Sequence, residues 1–122
     1  MKKILVIFVL LLSVVLLGNN KIGANMSNEI TQVRASHILV ATEKEALDLK
    51  SKIESGEISF ETAAAQYSEC PSGARGGDLG YFGRGMMVKE FEGPSFEGEI
   101  NTVSSPIQTQ FGWHLIKVID KK

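Results

Sequence analysis

Three side chains in this sequence belong to types that do chemistry near neutral pH: His37, Cys70 and His114. His37 sits in Val33-Arg34-Ala35-Ser36-His37-Ile38-Leu39-Val40, a run of β-branched and small residues without Gly or Pro, which reads as a strand. His114 sits in the stretch from Gly112 to Asp120, the strongest strand pattern in the chain. Alternation along a strand puts His37 on one face with Val33, Ala35 and Leu39, and His114 with Ile116 and Val118. If the first and last strands are neighbours, the two imidazoles meet inside the sheet. Residue types alone leave several chemistries open. A lone histidine on an apolar strand face is commonly a satisfied core residue, and a free cysteine packs as a small hydrophobe. A Cys–His nucleophile pair is compatible with the composition, although no carboxylate or carboxamide stands out to orient the base. A zinc site is disfavoured, because there are only three good ligands and neither C-x-x-C nor H-x-x-x-H spacing.

Other segments must position these groups. Thr42-Glu43-Lys44-Glu45 is a capping box, and the helix it starts is expected to run to about Ser55 with Gly56 as its stop. Ser59 caps a second helix through about Tyr67 that buries Phe60 and its alanines. Residues 73–98 hold eight of the twelve glycines, interleaved with Leu79, Tyr81, Phe82, Met86, Met87, Val88, Phe91 and Phe96. That apolar load argues for turns and close backbone approach rather than a linker, with a short helix over Val88–Phe91. Phe91 and Met87 are expected to face a cleft rather than a closed core. A further strand is expected over Val103–Ile107. The order strand, helix, helix, loop, short helix, strand, strand implies an α+β domain with a small antiparallel sheet.

Composition bounds the rest. The chain has 122 residues, 43% hydrophobic and 22% charged, enough for one domain of roughly a hundred residues. Ile4 to Leu17 is apolar except at Ser13 and follows Met1-Lys2-Lys3. At 14 residues it is short for a membrane span, and it ends in Gly18–Ala24, so residues 1–24 read as a secretory signal peptide cleaved after Ala24. Retention of residues 4–17 as a membrane anchor is the alternative. Residues 25–32 are a polar, mobile lead-in, and 33–122 form the domain. The expected location is therefore outside the cytoplasmic membrane. Beyond residue 24 there are 10 bases and 14 acids, a balance that excludes a general nucleic-acid binder. One cysteine allows no intrachain disulfide, and nothing in the sequence marks an oligomer, so a monomer is expected.

Five motifs, in order, carry a resemblance: Ser36–Val40, Ser68-Glu69-Cys70-Pro71-Ser72-Gly73, Gly76-Gly77-Asp78-Leu79-Gly80-Tyr81-Phe82, Gly85-Met86-Met87-Val88-Lys89-Glu90-Phe91, and Thr109-Gln110-Phe111-Gly112-Trp113-His114-Leu115-Ile116-Lys117-Val118. Together they resemble the parvulin (PpiC-type) family of peptidyl-prolyl isomerases over about residues 33–120. The resemblance implies a four-stranded antiparallel sheet surrounded by helices. It implies that His37 and His114 are the paired sheet histidines and that Cys70 is the active-site cysteine. Leu79, Met87 and Phe91 would wall the proline pocket, with Thr109 and Phe111 supporting the histidines and lining the cleft. It implies proline-containing polypeptides as substrates and neither metal nor organic cofactor. A parvulin-like module that holds unfolded segments with little turnover is the alternative. The sequence departs from the family at Lys89-Glu90, where Pro often precedes the Phe, and at Ile100-Asn101-Thr102, where Pro-Gly-Glu is commoner; Asn101 tolerates the left-handed backbone such a turn needs. One branch of the family prefers phosphoserine- or phosphothreonine-proline through a basic loop between the first strand and first helix. Here that loop is little more than Ala41, followed by Glu43 and Glu45, which implies the phosphate-independent branch.

Overall fold

The computed structural model describes residues 29–122. The apolar run and the expected cleavage after Ala24 lie outside them. Two strands make the centre: β1 (Gln32–Val40) and, from the other end of the chain, β4 (Gly112–Lys121). They pair antiparallel along nearly their whole length, from Val33 against Lys121 to Val40 against Trp113. Between them in sequence come α1 (Glu43–Glu54), α2 (Phe60–Tyr67), a 3-10 helix (Pro71–Arg75), β2 (Asp78–Gly83), α3 (Lys89–Glu97) and β3 (Ile107–Thr109). The sheet order is β2-β1-β4-β3, all antiparallel. This is the α+β arrangement with four antiparallel strands that the resemblance implied.

Both faces of the sheet are covered. Ile38, Val40 and Leu115 point to the α1–α2 side, where they pack with Ala46, Leu49, Phe60, Ala63 and Ala64. Val33, Ala35, Ile116 and Val118 point the other way, against Phe82 and against Phe91 and Phe96 of α3. The capping box of α1 forms: Glu45 N donates to Thr42 Oγ1 (3.1 Å) and Thr42 N to Glu45 Oε1 (3.2 Å). Ser59 caps α2 from one side only, its hydroxyl accepting from Thr62 N (3.0 Å). Asn101 turns the chain at φ 65°.

Three expectations need correction. The glycine-rich stretch is more regular than its composition implies. It holds β2, whose glycines are tolerated because Phe82 is buried in the core, and an α3 longer than Val88–Phe91. Gly93-Pro94 argues against a continuing helix, but burying Phe91 and Phe96 on one side of it outweighs the lost hydrogen bond. The strand expected over Val103–Ile107 contracts to a single bridge at Val103, with β3 starting only at Ile107. Pro106 has no N–H to give to a ladder, and the Ser104 hydroxyl takes the Ile116 N–H (2.9 Å) that a strand carbonyl would otherwise accept. The lead-in is also shorter. Thr31 N and Gln32 N both donate to Lys122 O, and Lys122 N donates back to Gln32 O, so order starts before residue 33. Among the described residues no helix is long and apolar enough to cross a membrane.

Candidate active site

The two histidines lie on the two central strands, offset by two residues along the ladder: Leu39 faces His114, and His37 faces Ile116. That diagonal brings Nδ1 of one ring within 3.0 Å of Nδ1 of the other, with the rings stacked at 18°. Phe91 from α3 stands edge-on to both, with ring centroids 5.4 Å from His37 and 5.3 Å from His114. On the far side of His114, Nε2 is 2.7 Å from Thr109 Oγ1, and that oxygen also accepts from Phe111 N (3.1 Å). An Nδ1–Nδ1 hydrogen bond requires one protonated and one bare nitrogen. The arrangement with fewest unpaired groups runs one way. Thr109 O–H donates to His114 Nε2, and His114 Nδ1–H donates to His37 Nδ1. His37 is left with its proton on Nε2, the one buried side-chain polar atom without a partner among the described residues. The reverse order would strand the Thr109 hydroxyl proton as well.

Both rings are neutral at pH 7. Burial pushes the His37 pKa down to about 4, with the neighbouring imidazole adding to the effect, and burial also lowers that of His114. The pair is therefore a fixed, uncharged polar strut.

Cys70 is brought to this face by its neighbours. Ser68 Oγ accepts from Leu39 N (3.0 Å) and Cys70 N (3.3 Å), and Glu69 N donates to Leu39 O (2.8 Å), which fastens the segment to the end of β1. The Cys70 thiol is half-buried, and its polar neighbour is the Ser72 hydroxyl at 3.3 Å. Among the described residues the Cys70 thiol is hydrogen-bonded to Ser72 and to neither imidazole, so no Cys–His nucleophile pair forms. Gly77 fixes the other flank. It adopts φ 87°, its carbonyl accepts from His37 N (2.9 Å), and a Cβ there would sit 2.4 Å from His37 O.

These parts enclose a cleft of about 520 Å³. Seven of the eight residues singled out in sequence line it: His37, Cys70, Leu79, Met87, Phe91, Phe111 and His114. The eighth, Thr109, stands behind His114. Leu39, Glu69, Pro71, Met86 and Val88 complete the lining. Leu39 was legible from its alternation with His37; Glu69 carried no signal beyond its adjacency to Cys70. Phe91 departs from expectation, being 4% exposed and part of the core as well as a wall of the cleft. Among the described residues no group of three or more His, Cys, Asp or Glu side chains could hold a metal ion.

The family model of the PPIC-type PPIase (rotamase) domain matches residues 26–120. The chain belongs to the PPIC-type PPIase family. It is 50% identical over 92 residues to the foldase protein PrsA of a Geobacillus strain, covering 75% of this chain and 33% of that protein. It is 42% identical over 94 residues to a parvulin-like PPIase of Rickettsia bellii, again over 75% of this chain and 33% of the relative. The PPIase domain thus spans about a third of the length of these curated relatives. Among solved structures, the peptidylprolyl isomerase PrsA of Bacillus anthracis superimposes with a TM-score of 0.74 at 40% identity, over 84% of this chain and 47% of that one. The parvuline of Nitrosopumilus maritimus does so at 0.67 and 41%, over 74% of this chain and 97% of its own.

Proposed function

We propose that the chain isomerises Xaa–Pro bonds in non-phosphorylated, partly unfolded polypeptides, and does so outside the cytoplasmic membrane. The observation that carries the reading is the apolar cleft floored by an uncharged histidine pair. Prolyl isomerisation breaks no covalent bond, so it needs no nucleophile; its barrier of about 18–20 kcal/mol is amide resonance. The twisted amide is less charge-separated than the planar one, and an apolar enclosure by Leu79, Met87 and Phe91 favours it while gripping the ring. Phe111, 62% exposed at the rim, is free to fold over a bound segment. The Cys70 thiol and the histidine pair supply fixed dipoles that orient the flanking carbonyl as the bond rotates. Shortening an event of tens to hundreds of seconds to about a millisecond takes roughly a 10⁴–10⁵-fold gain, or about 5.5–7 kcal/mol of differential binding.

A protease-coupled assay on Ala-Xaa-Pro-Phe peptides tests this directly. Acceleration at micromolar protein is expected, with partial activity surviving Cys70→Asp. Absence of any acceleration would instead favour a holding module, and complete loss in Cys70→Asp would point to thiol chemistry. The location rests on the Lys2-Lys3 and Ile4–Leu17 pattern. Cell fractionation should find a mature species starting near Asn25 outside the cytosol; full-length protein confined to the cytosol would overturn it.

A further inference from the structure

We propose that Glu69 selects substrates with a lysine or arginine in one of the two positions before the proline. The inference rests on the isomerase reading and names its substrate class. Glu69 is the one carboxylate lining the cleft, and no Lys or Arg lines it. Its side chain is exposed and enters no salt bridge or hydrogen bond among the described residues. Its place is nonetheless fixed, because its backbone N–H is tied to Leu39 O at the end of β1. A peptide crossing the cleft displaces water from this carboxylate, a loss that a substrate cation offsets and a substrate anion worsens.

A second hollow, of about 190 Å³, begins where the cleft ends, and Glu69 borders both. Val40, Leu49 and Tyr67 give the hollow an apolar side, and Glu45, Asp48 and Lys52 give it a net negative charge. Asp48 is already paired with Lys44, and Glu45 is occupied by the Thr42 cap, so Glu69 is the carboxylate free to receive a partner. Apolar surface followed by a free acid is the complement of a lysine or arginine side chain, whose methylene stem packs while its head pairs. A substrate chain leaving the cleft over Glu69 enters that hollow.

The test compares kcat/KM of the chain on Ala-Lys-Pro-Phe, Lys-Ala-Pro-Phe, Ala-Ala-Pro-Phe and Ala-Glu-Pro-Phe. At low salt, lysine in one of the two positions should gain about two- to five-fold over alanine, the worth of an exposed ion pair, and glutamate should lose a similar factor. Glu69→Gln should bring the ratios to near unity and Glu69→Lys should invert them. About 1 M salt, with a Debye length near 3 Å, should shrink the wild-type preference. Equal rates on all four peptides, or a lysine preference that survives Glu69→Gln, would overturn the proposal. Calorimetric affinities for the same peptides separate it from the parent reading. Charge-selective binding without turnover retains Glu69's role and overturns the isomerase; turnover without charge selectivity does the reverse.

Discussion

The histidine pair couples the site to the stability of the fold through pH. Folded, both rings are neutral; unfolded, each binds a proton below its ordinary pKa near 6.5. The unfolded chain therefore holds more protons at mildly acid pH, so stability is complete above about pH 6.5 and falls as the pH drops toward 4, with His37 alone contributing roughly 3 kcal/mol. Carboxylates held low, Asp78 by Arg34 and Glu61 by its own backbone and Lys117, lose their contribution as the pH falls below their ordinary values near 3.8 and 4.5, so most of the histidine window lies above theirs. Urea midpoints measured between pH 7.5 and 4.5 should decline over this range. In His37→Ala the decline should be shallower, and stability at pH 7 lower by at least about 1–3 kcal/mol, because His114 Nδ1–H loses its acceptor. A flat profile in the wild type, or the full slope retained in the variant, would refute the neutral pair. Strand alternation placed each ring on an apolar face of its own strand; that the two faces coincide follows from the pairing of β1 with β4. Their tautomers were not legible, because these depend on Thr109, which reaches His114 only through the turn between β3 and β4.

At the level of elements, the glycine-rich stretch hides its order because composition reports backbone freedom rather than use. Gly77 and Gly56 both have positive φ, 87° and 85°, yet they differ in surroundings. Around Gly56 there is open space, so Gly56→Ala should cost only the left-handed backbone, about 1–2 kcal/mol. Gly77→Ala adds a contact at 2.4 Å with the His37 carbonyl, which must displace β1 at the histidine. Its midpoint should fall well beyond that of Gly56→Ala, with activity lost in step; equal effects would show that β1 yields without cost. The same reasoning separates two residues of the cleft wall. Phe91 is core as well as wall, so Phe91→Ala should lose about 3–5 kcal/mol of stability and cannot isolate the cleft. Met87 is half-buried, and Met87→Ala should reduce turnover on proline peptides with a much smaller change in midpoint. Comparable losses of both in Met87→Ala would mean the residue serves packing alone. Capping residues and hydrophobic periodicity made α1 and α2 legible, whereas α3 and β3 depended on tertiary burial and on Ser104 that no local pattern encodes.

Across the whole molecule, the joining of the first and last strands decides which charges can reach a substrate. The pairing of β1 with β4 puts the cleft toward the Val40–Trp113 end of the sheet, the end from which the chain leaves β1 for α1. Its short approach, with Ala41 alone between Val40 and the Thr42 cap, leaves Glu43 and Glu45 in the first turn, where they suit the helix dipole. Arg34 and Arg75 are engaged elsewhere: Arg34 forms a two-point contact with the Asp78 carboxylate, and Arg75 donates to the Asp78 carbonyl. Arg84 pairs with Glu92 and lies over Phe96. A phosphate dianion at the cleft would thus meet Glu69 and find no guanidinium to bind it bidentately. Turnover on a phosphoserine-proline peptide should be several-fold below that on its serine-proline counterpart. The deficit should narrow as salt rises, because screening shortens the reach of the acids. Glu69→Gln should recover part of the deficit even at low salt, since it removes the carboxylate nearest the cleft. Faster turnover of the phosphorylated peptide would mean that Arg34 or Arg75 leaves Asp78 for the substrate, and the charge arrangement around β2 would then have to be redrawn.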